Sequence, residues 1–314
     1  MLKYNYSKIL KDSILAILLD FSQVVMSACY AFADELSVDS HDKESAKNIV
    51  RHVILSQIKY YKSKYGIKYG ELIISCDGFK YWRRDCFPQY KACRKEARNK
   101  SNIDWKLIFH MMDELIHDLK ENFPYKIIRI ENCESDDIIA TLTKYLQTHE
   151  IDSSNPLFDA PQNILIVSSD MDFAQLQKYS NVTQIAPKNK KKIEVDDPVL
   201  YLREKVIRGD SGDGIPSIVN HDEVFVMGER QKKITAKLFE QFMEEKTPEN
   251  CTNETFRKNW LRNRLLIDFE FIPKDIEESI IHEYKQPIRG NKMKVFNYLI
   301  QHQCNQLLND IDSF

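Results

Sequence analysis

The sequence predicts an α/β fold, in which a mostly parallel central sheet is flanked by helices and followed by an all-helical carboxy-terminal part. Short runs rich in branched aliphatic residues alternate with longer segments of helical periodicity, as in strand–helix–strand units with parallel strands. The strand runs lie at 13–19, 71–76, 126–130 and 163–167, and the helical segments between them at 43–65, 102–122 and 136–149. Beyond residue 197 only helical patterns occur, at 198–208, 229–245, 253–268 and 292–309.

Each predicted element has the length that its role requires. The strand runs are five to seven residues long, as buried strands are, and each helical segment between them can cross back over a sheet. We therefore expect an α/β domain over residues 1–197 and a helical domain over residues 198–314. Because no Gly/Ser-rich linker separates them, the lysine-rich stretch 187–198 is the expected joint.

Bulk composition places the chain among soluble globular proteins, with 43% hydrophobic and 29% charged residues. Lys and Arg number 45 against 47 Asp and Glu, so only the distribution of charge can indicate a nucleic-acid partner.

The seven cysteines contain no CxxC pair, which fits neither a disulfide framework nor a zinc ribbon. The apolar run that begins at Ile14 is interrupted by Asp20, too early for a signal peptide or a membrane span. We expect a cytoplasmic protein.

Acidic residues follow every one of the four predicted strands. Because the carboxyl ends of parallel strands share one edge of an open sheet, where ligands bind, we expect these side chains to converge. They are Asp20, Asp77, Glu134, Asp136, Asp137, Asp170 and Asp172, and Asp210 and Asp213 add a further cluster. For any single one of them, an ordinary helix N-cap is the more frequent role.

So many carboxylates within a few ångströms of one another must take up protons or be neutralised by cations. Oxygen ligands without paired His or Cys favour hard divalent ions, Mg²⁺ or Mn²⁺, rather than zinc. Acids numerous enough for two ions indicate phosphoryl chemistry. We therefore expect two Mg²⁺ ions, which Mn²⁺ can replace, and a phosphate ester as substrate.

Residues 80–100 form a basic segment, with eight Lys or Arg against two acidic residues and several interleaved aromatic side chains. A solvated helix face is the usual explanation of such a charge run. Its position directly after Asp77, however, places it over the acidic edge of the sheet. There it would neutralise phosphates and stack on unpaired bases, a mixture typical of single-strand binding. The residues expected to bind nucleic acid are Lys80, Tyr81, Trp82, Tyr90, Arg94 and Lys95.

Together these motifs resemble the flap endonuclease or 5′ nuclease superfamily, most closely the ribonucleases H of T-even-like phages, and the resemblance covers nearly the whole chain. The motifs that carry it are Leu19-Asp20-Phe21-Ser22, Cys76-Asp77, Tyr81-Trp82-Arg83-Arg84-Asp85, Glu134-Ser135-Asp136-Asp137, Ser168-Ser169-Asp170-Met171-Asp172-Phe173 and Arg208-Gly209-Asp210-Ser211-Gly212-Asp213. The resemblance implies a nuclease core like that of PIN domains.

The resemblance also implies roles for these residues. Asp20, Asp77, Glu134, Asp136 and Asp170 would bind one metal ion, Asp172 and Asp213 the other, and Asp137 and Asp210 would support them. Lys91 and Arg98 fall where the family keeps a Lys and an Arg on a helical arch, with Arg83 and Arg84 at its base. These four would stabilise charge in the transition state. One departure is that the family's helix-hairpin-helix pattern begins at Asp213-Gly214-Ile215 and breaks at 219–226, which puts its grip on duplex DNA in doubt.

The implied activity is 5′ to 3′ hydrolysis of RNA/DNA and DNA/DNA duplexes with cleavage of 5′ flaps, which in a phage removes lagging-strand primers. The implied partners are RNA/DNA hybrids, flap or fork DNA, a single-stranded-DNA-binding protein and a sliding clamp, with residues 1–12 as the candidate clamp-contacting peptide. The protein would be a monomer. Two alternatives stay open. One is a junction-binding protein that no longer cuts, and the other is a haloacid-dehalogenase-type phosphatase with Asp20 as nucleophile, although Ser22 stands where that chemistry needs a second Asp.

Overall fold

A six-stranded sheet forms the centre of the molecule, in the order β3-β2-β1-β4-β5-β6, in a computed structural model that describes residues 16–148 and 163–314. Every pair of neighbouring strands among β1 to β5 is parallel, and β6 is antiparallel to β5. Their bounds are β1 Ala16–Asp20, β2 Glu71–Cys76, β3 Lys126–Arg129, β4 Ile164–Val167, β5 Val182–Ile185 and β6 Lys192–Ile193. The predicted mostly parallel sheet is confirmed.

Helices account for most of the remaining described chain. They are α1 Phe21–Ala31, α2 Lys43–Tyr69, α3 Trp82–Cys86, α4 Ala92–Asn99, α5 Trp105–Asn122, α6 Ser135–Thr148, α7 Pro198–Arg208, α8 Ala236–Glu245, α9 Glu254–Ile267, α10 Lys274–Tyr284 and α11 Lys292–Gln301. Short 3-10 helices occupy Met171–Lys178, Pro248–Asn250, Phe269–Phe271 and Asn305–Ser313. The basic segment thus consists of the two short helices α3 and α4.

Local capping explains where several helices differ from their predicted bounds. The helix predicted at 229–245 begins only at Ala236, because Thr235 adopts an extended conformation and its hydroxyl accepts the N–H of Leu238. The pattern at 292–309 is divided after Gln301 into α11 and a 3-10 helix. Helices α1 and α10 were not predicted.

The two faces of the sheet bury separate cores, since alternate strand residues point to opposite sides. Ile17 and Leu19 belong to the core beneath α1, α2, α5 and α11, whereas Ala16 and Leu18 belong to the core beneath α6 and α10. The carboxy-terminal part contributes to both, with Val295 and Leu299 on the first face and Ile276 and Ile280 on the second. The chain after residue 197 is helical as expected, but much of its apolar surface is buried against the α/β part.

A third core lies between the basic segment and the helices that follow residue 197. Phe87 and Tyr90 of the basic segment pack there with Ile207, Phe242 and Trp260 of α7, α8 and α9. The basic segment is therefore anchored to the carboxy-terminal part as well as to the sheet.

Strand β3 forms one edge of the sheet, and residues 286–290 pass beside it. The ammonium of Lys126 on β3 donates to the carbonyl of Gln286 at 2.9 Å, and the N–H of Asn291 donates to the carbonyl of Asn122 at 3.2 Å. At Gly290 a Cβ atom would lie only 2.1 Å from the carbonyl oxygen of Phe123, so this crossing requires glycine. Residues 286–290 thus run beside β3, and the two segments line a common cavity at this edge.

Over residues 16–148 and 163–314, no helix is both long and apolar enough to cross a membrane. The peptide 1–12, considered above as a clamp contact, lies outside the described residues.

Candidate metal centre and basic segment

The predicted acidic residues lie along the carboxyl edge of the sheet. Asp20 is the last residue of β1, Asp77 directly follows β2, and Asp170 follows β4. Glu134 and Asp136 lie at the amino-terminal end of α6. Asp210 and Asp213 approach this edge from the loop that follows α7.

Asp20 and Asp77 are held by hydroxyl and backbone donors. The Ser168 hydroxyl donates to Asp20 at 2.9 Å, and the N–H of Gln23 donates to it at 3.2 Å, so Asp20 also caps α1. Asp77 accepts the Ser22 hydroxyl at 2.6 Å and the N–H of Ser135 at 2.9 Å. These bonds fix the carboxylates without neutralising them.

Burial and mutual repulsion act on three of the acids. Burial raises the pKa of Asp20 to about 7, and the charge of Asp77 adds to this effect. Burial, followed by the charge of Asp170, raises the pKa of Asp136 well above its ordinary range, and burial likewise raises the pKa of Asp170. Among the described residues, none of Asp20, Asp77, Asp136 and Asp170 has a Lys or Arg at ion-pair distance.

The remaining acids, in contrast, are neutralised by basic side chains. The Lys91 ammonium lies 2.5 Å from a carboxylate oxygen of Glu134 and 3.6 Å from Asp213. Burial opposes the ionisation of Glu134, but Lys91 and then Arg83 overcome it and lower its pKa. The pKa of Asp213 is lowered against its burial by Lys91 and Arg94 in the same way.

Lys205 of α7 is a functional candidate that sequence reasoning missed. Its ammonium contacts the carboxylate of Asp172 and lies 3.0 Å from that of Asp210, so it joins acids from the two halves of the chain. No pattern in the sequence distinguishes Lys205 from its charged neighbours Arg203 and Glu204. Only the crossing of α7 over the 171–178 helix places it here.

The acids meet at one edge, but no three acidic, His or Cys side chains in the described part of the chain form a ready-made cage for an ion. They are spaced along the edge and joined by Ser168, Lys91 and Lys205. The donor set consists of carboxylate and hydroxyl oxygens, and the ionised forms of Asp20, Asp136 and Asp170 have no Lys or Arg at ion-pair distance in the described structure to stabilise them. Both properties fit a hard divalent cation.

A tight loop presents Asp210 and Asp213. Asp210 and Ile215 form an antiparallel bridge, and the Asp210 carboxylate accepts the N–H groups of Gly212 and Asp213 at 2.8 and 3.2 Å. Gly209 has φ of 72°, and a Cβ there would lie 2.4 Å from the carbonyl oxygen of Ile215. The loop therefore depends on glycine at position 209.

Lys91 is placed by its backbone as well as by its charge. Its φ of 56° is left-handed, and its N–H donates to the carbonyl of Asp213 at 2.7 Å. The side chain is 9% exposed, so its ammonium lies within the acidic edge rather than in solvent.

Arg83 is buried beside the acids. It forms ion pairs of 2.8 Å with both Glu134 and Asp137 and donates to the carbonyl of Leu266 at 2.8 Å. Its guanidinium therefore holds these two carboxylates in place.

Three further predicted site residues, Trp82, Tyr90 and Asp137, are buried. The Trp82 indole N–H donates to Asp137 at 3.1 Å, and the Tyr90 hydroxyl donates to Glu134 at 3.0 Å or Asp213 at 3.0 Å. With 6% and 2% exposure, neither ring has a free face on which a base could stack. Asp137 is fully buried among Trp82, Arg83 and the N–H of Glu134, so its carboxylate supports the site and has no accessible oxygen for an ion.

The other expected nucleic-acid contacts lie toward solvent. Arg94 is exposed and pairs with Asp213 at 2.5 Å, and Arg84 stacks on the half-buried Tyr81 with 5.0 Å between the guanidinium and the ring. Lys80 and Lys95 are exposed. The guanidinium of Arg98 lies 5.4 Å from the ring of Phe109 on α5, and within the described residues it contacts none of the candidate ligands.

Comparisons with known proteins identify the family of this chain. Residues 15–206 match the family model described as "5′-3′ exonuclease, N-terminal resolvase-like domain", and residues 197–314 match that described as "T4 RNase H, C terminal". The chain is 33% identical over 312 residues to ribonuclease H of Enterobacteria phage T4, with 95% of each chain covered.

Solved structures of phage T5 proteins share the fold. The T5 5′-exonuclease with bound zinc ions has a TM-score of 0.58 at 17% identity, covering 86% of this chain and 98% of that one. A variant of the T5 flap endonuclease in a pseudo-enzyme-product complex with DNA and metal ions has a TM-score of 0.56 at 16% identity, with 95% and 99% covered.

Proposed function

Because this chain belongs to the 5′ to 3′ exonuclease family and to its T4 ribonuclease H group, we propose that it is a structure-specific 5′ nuclease. It hydrolyses RNA/DNA and DNA/DNA duplexes from the 5′ end, cleaves 5′ flaps, and so removes primers from lagging-strand fragments of phage DNA. The observation that carries the proposal is the acidic edge of the sheet beside a buried lysine and a basic segment.

The divalent cation of this enzyme is Mg²⁺, with Mn²⁺ as a substitute, and two ions are bound. Asp20, Asp77, Asp136 and Asp170 bind one ion, since these acids have no Lys or Arg at ion-pair distance in the described structure and three of them resist ionisation in the protein alone. Glu134 adds to this set, whereas Asp172 and Asp213 serve the second ion. When bound, such ions activate a water molecule and stabilise the departing oxygen.

The basic side chains act on the substrate phosphate. Lys91 lies between Glu134 and Asp213, so its ammonium would remain beside the site and could act on the substrate phosphate if those carboxylates held an ion. Lys205 stands in the same relation to Asp172 and Asp210. A buried ammonium stabilises developing negative charge more strongly than an exposed one, because water does not screen it.

The two expected domains contribute different parts of the site. Residues 1–197 supply the sheet edge and the basic segment, whereas residues 198–314 supply Lys205, Asp210 and Asp213 and contact the duplex. Arg94, Lys95 and Lys80 hold the backbone of the bound strand, since they are exposed beside the acids. The protein acts as a monomer and cooperates with a single-stranded-DNA-binding protein and a sliding clamp.

The decisive experiment is digestion of a duplex with a 5′ flap, labelled at each end in separate preparations, with and without Mg²⁺. Short products released from the 5′ end and a cut at the flap junction, both dependent on Mg²⁺, are expected. If the protein binds the flap without cutting it across a titration of Mg²⁺ and Mn²⁺, it is a junction-binding protein and the proposal fails. Rapid hydrolysis of small phosphate esters with intact DNA would indicate the phosphatase instead.

A further inference from the structure

An aromatic stripe lies on the outer face of α5. Trp105, Phe109 and Asp113 recur at four-residue spacing, which places them on one face of the helix roughly 6 Å apart along its axis. The rings of Trp105 and Phe109 have centroids 6.0 Å apart, and Phe109 is 42% exposed. The guanidinium of Arg98, in the last turn of α4, lies over the Phe109 ring at 5.4 Å.

The stripe continues from Asp113 to the acidic edge. Arg129 pairs with Asp113 at 2.8 Å and donates to the carbonyl oxygen of Asp77 at 2.9 Å. Its guanidinium lies 4.0 Å from the centroid of the Phe79 ring, and Phe79 is 68% exposed. We call these residues, Trp105, Phe109, Arg98, Asp113, Arg129 and Phe79, the α5 track.

The exposure of Phe79 is fixed by the backbone on either side of it. The N–H of Gly78 donates to the carbonyl of Cys133 at 2.8 Å, and the N–H of Lys80 donates to that of Glu131 at 3.0 Å. A Cβ at Gly78 would lie 2.1 Å from the carbonyl oxygen of Ile130, so the two loops are in close contact. The ring is thus held outward by a rigid loop, two residues from a candidate metal ligand.

Single exposed hydrophobic residues are common on protein surfaces and require no explanation. Here, however, a guanidinium group lies over each of two exposed phenylalanine rings. The residues of the α5 track also follow one another from Asp77 to the carboxy-terminal end of the basic segment. Aromatic rings stack on any base, while guanidinium groups attract phosphates and stack on bases themselves. This chemistry fits unpaired nucleic acid.

We propose that the α5 track binds the unpaired 5′ arm of a flapped substrate, with Phe79 and Phe109 each stacking on a base. The inference rests on the proposed nuclease function, because the arm must leave the acidic edge and the track begins there. The α5 track runs along α5, away from the acids at the carboxyl edge of the sheet. It therefore sets the affinity for the arm and takes no part in bond cleavage.

The test measures the dissociation constants of fluorescent oligothymidylate and of two otherwise identical duplexes, one with a 5′ flap and one with only a nick, without divalent ions. We expect Phe79→Ala and Phe109→Ala each to weaken oligothymidylate binding at least about fivefold, the lower limit for loss of one stacked base. Binding of the flapped duplex should weaken more than that of the nicked duplex. Phe109→Trp should retain the affinity of the original chain.

The matched control is Phe296→Ala on α11, because Phe296 is also 42% exposed and lies outside the track. Thermal melting confirms that each variant is folded. Unchanged oligothymidylate affinity in the folded double variant Phe79→Ala/Phe109→Ala would overturn the track while leaving cleavage by the original chain, and hence the proposed function, intact. A change in sedimentation without a change in DNA affinity would assign the surface to self-association. Failure of the original chain to cut any DNA would refute the proposed function itself.

Discussion

Lys91 combines an unfavourable backbone conformation with an unfavourable location for its charge. A left-handed φ costs about 1–2 kcal/mol for a residue with a side chain, and a buried ammonium must be compensated by opposite charge. Asp213 compensates both, since its carbonyl accepts the backbone N–H and its carboxylate lies 3.6 Å from the ammonium. Such strain persists where the surrounding structure imposes it, frequently at functional sites.

Replacing Lys91 with alanine should reduce single-turnover cleavage about 100-fold, the scale observed when one group that stabilises transition-state charge is removed. Uptake of Mn²⁺ measured by calorimetry should persist, because the acids remain. Lys274→Ala, which removes an exposed lysine at the start of α10, serves as the control and should cleave normally. A Lys91→Ala variant that cuts at the original rate would remove Lys91 from the chemistry.

Asp136→Asn should lower the Mg²⁺-dependent rate at least about 100-fold, beyond the effect typical of residues that only support a metal ligand. Because the pKa of Asp136 is raised in the folded protein, its charge opposes folding when no cation is present. The melting temperature without divalent ions should therefore stay the same or rise. Asp196→Asn, at an exposed position, is the control for both measurements. Full turnover by Asp136→Asn would contradict the metal assignment.

Residue types and their position after strands were sufficient to predict the acids that follow the first four predicted strands, whereas Lys91 was predicted only from the resemblance to the 5′ nuclease superfamily. The sequence could not reveal that Trp82 and Tyr90 face inward, because an aromatic ring among basic residues can point to solvent or to a carboxylate. Lys205 was not predicted for a different reason, since only the packing of α7 brings it to its partners Asp172 and Asp210. Contacts between distant segments leave no local pattern.

Among the structural elements, the loop 209–215 is the one on which the site depends most directly. Gly209→Ala should lower the free energy of unfolding by about 1–3 kcal/mol, because the new Cβ would meet the backbone of Ile215 and Pro216 at a left-handed φ. Cleavage should fall as well, since Asp210 and Asp213 are displaced. Urea denaturation and single-turnover kinetics measure the two effects.

Gly228→Ala is the matched control for this loop. Gly228 also has a left-handed φ, 69°, but a Cβ there would meet nothing within 4 Å. It should therefore show only the smaller conformational cost and retain cleavage. Equal loss of stability in the two variants would show that the close approach at Gly209 has no importance of its own.

Four strands were predictable because continuous aliphatic runs of this length have few other uses. Strands β5 and β6 were not predicted, since Thr183 and Gln184 interrupt the aliphatic residues of β5, and β6 lies within a lysine run that resembles a turn. Buried Gln184 is explained by the structure, where its amide donates to the carbonyls of Ser168 and Asp170 at 3.0 and 2.7 Å. Helix α1 was not predicted because it begins at Phe21, directly after the last residue of β1, with no turn residues between the two elements.

For the molecule as a whole, stability without divalent ions should fall as the pH rises from about 5.5 to 8. The folded pKa of Asp20 is about 7 against 3.8 for the free side chain, so the stability gained by its protonation is lost as the pH rises through 7. Glu134 and Asp213 have lowered pKa values, so their contribution disappears only in more acidic solution.

Mg²⁺ competes with protons for the same oxygens, so it should raise the melting temperature more at pH 8 than at about pH 5.5. Calorimetric scans at the two values, with and without Mg²⁺, provide the measurement. Asp20→Asn should flatten the dependence on pH in the absence of ions. If Mg²⁺ raised the melting temperature by the same amount at both pH values, the proposed competition between Mg²⁺ and protons would be contradicted.

The shared cores predict that the intact chain unfolds in one cooperative transition. Val295 and Leu299 pack on one face of the sheet, and Ile276 and Ile280 pack on the other, so loss of either half exposes the core of its partner. Calorimetric and van't Hoff enthalpies should agree. A fragment that ends at residue 197 should lack a sharp melting transition, and a stable fragment would show that the halves are independent.

The close approach of Gly290 to Phe123, beside β3, has a consequence for folding during translation. Until residues 286–290 have been translated, the segment that lies beside β3 is missing, and an edge strand without a neighbouring segment can pair with another chain. The contact between Lys126 and Gln286 joins residues 160 positions apart, so this side of the sheet is completed long after β3 itself has been synthesised.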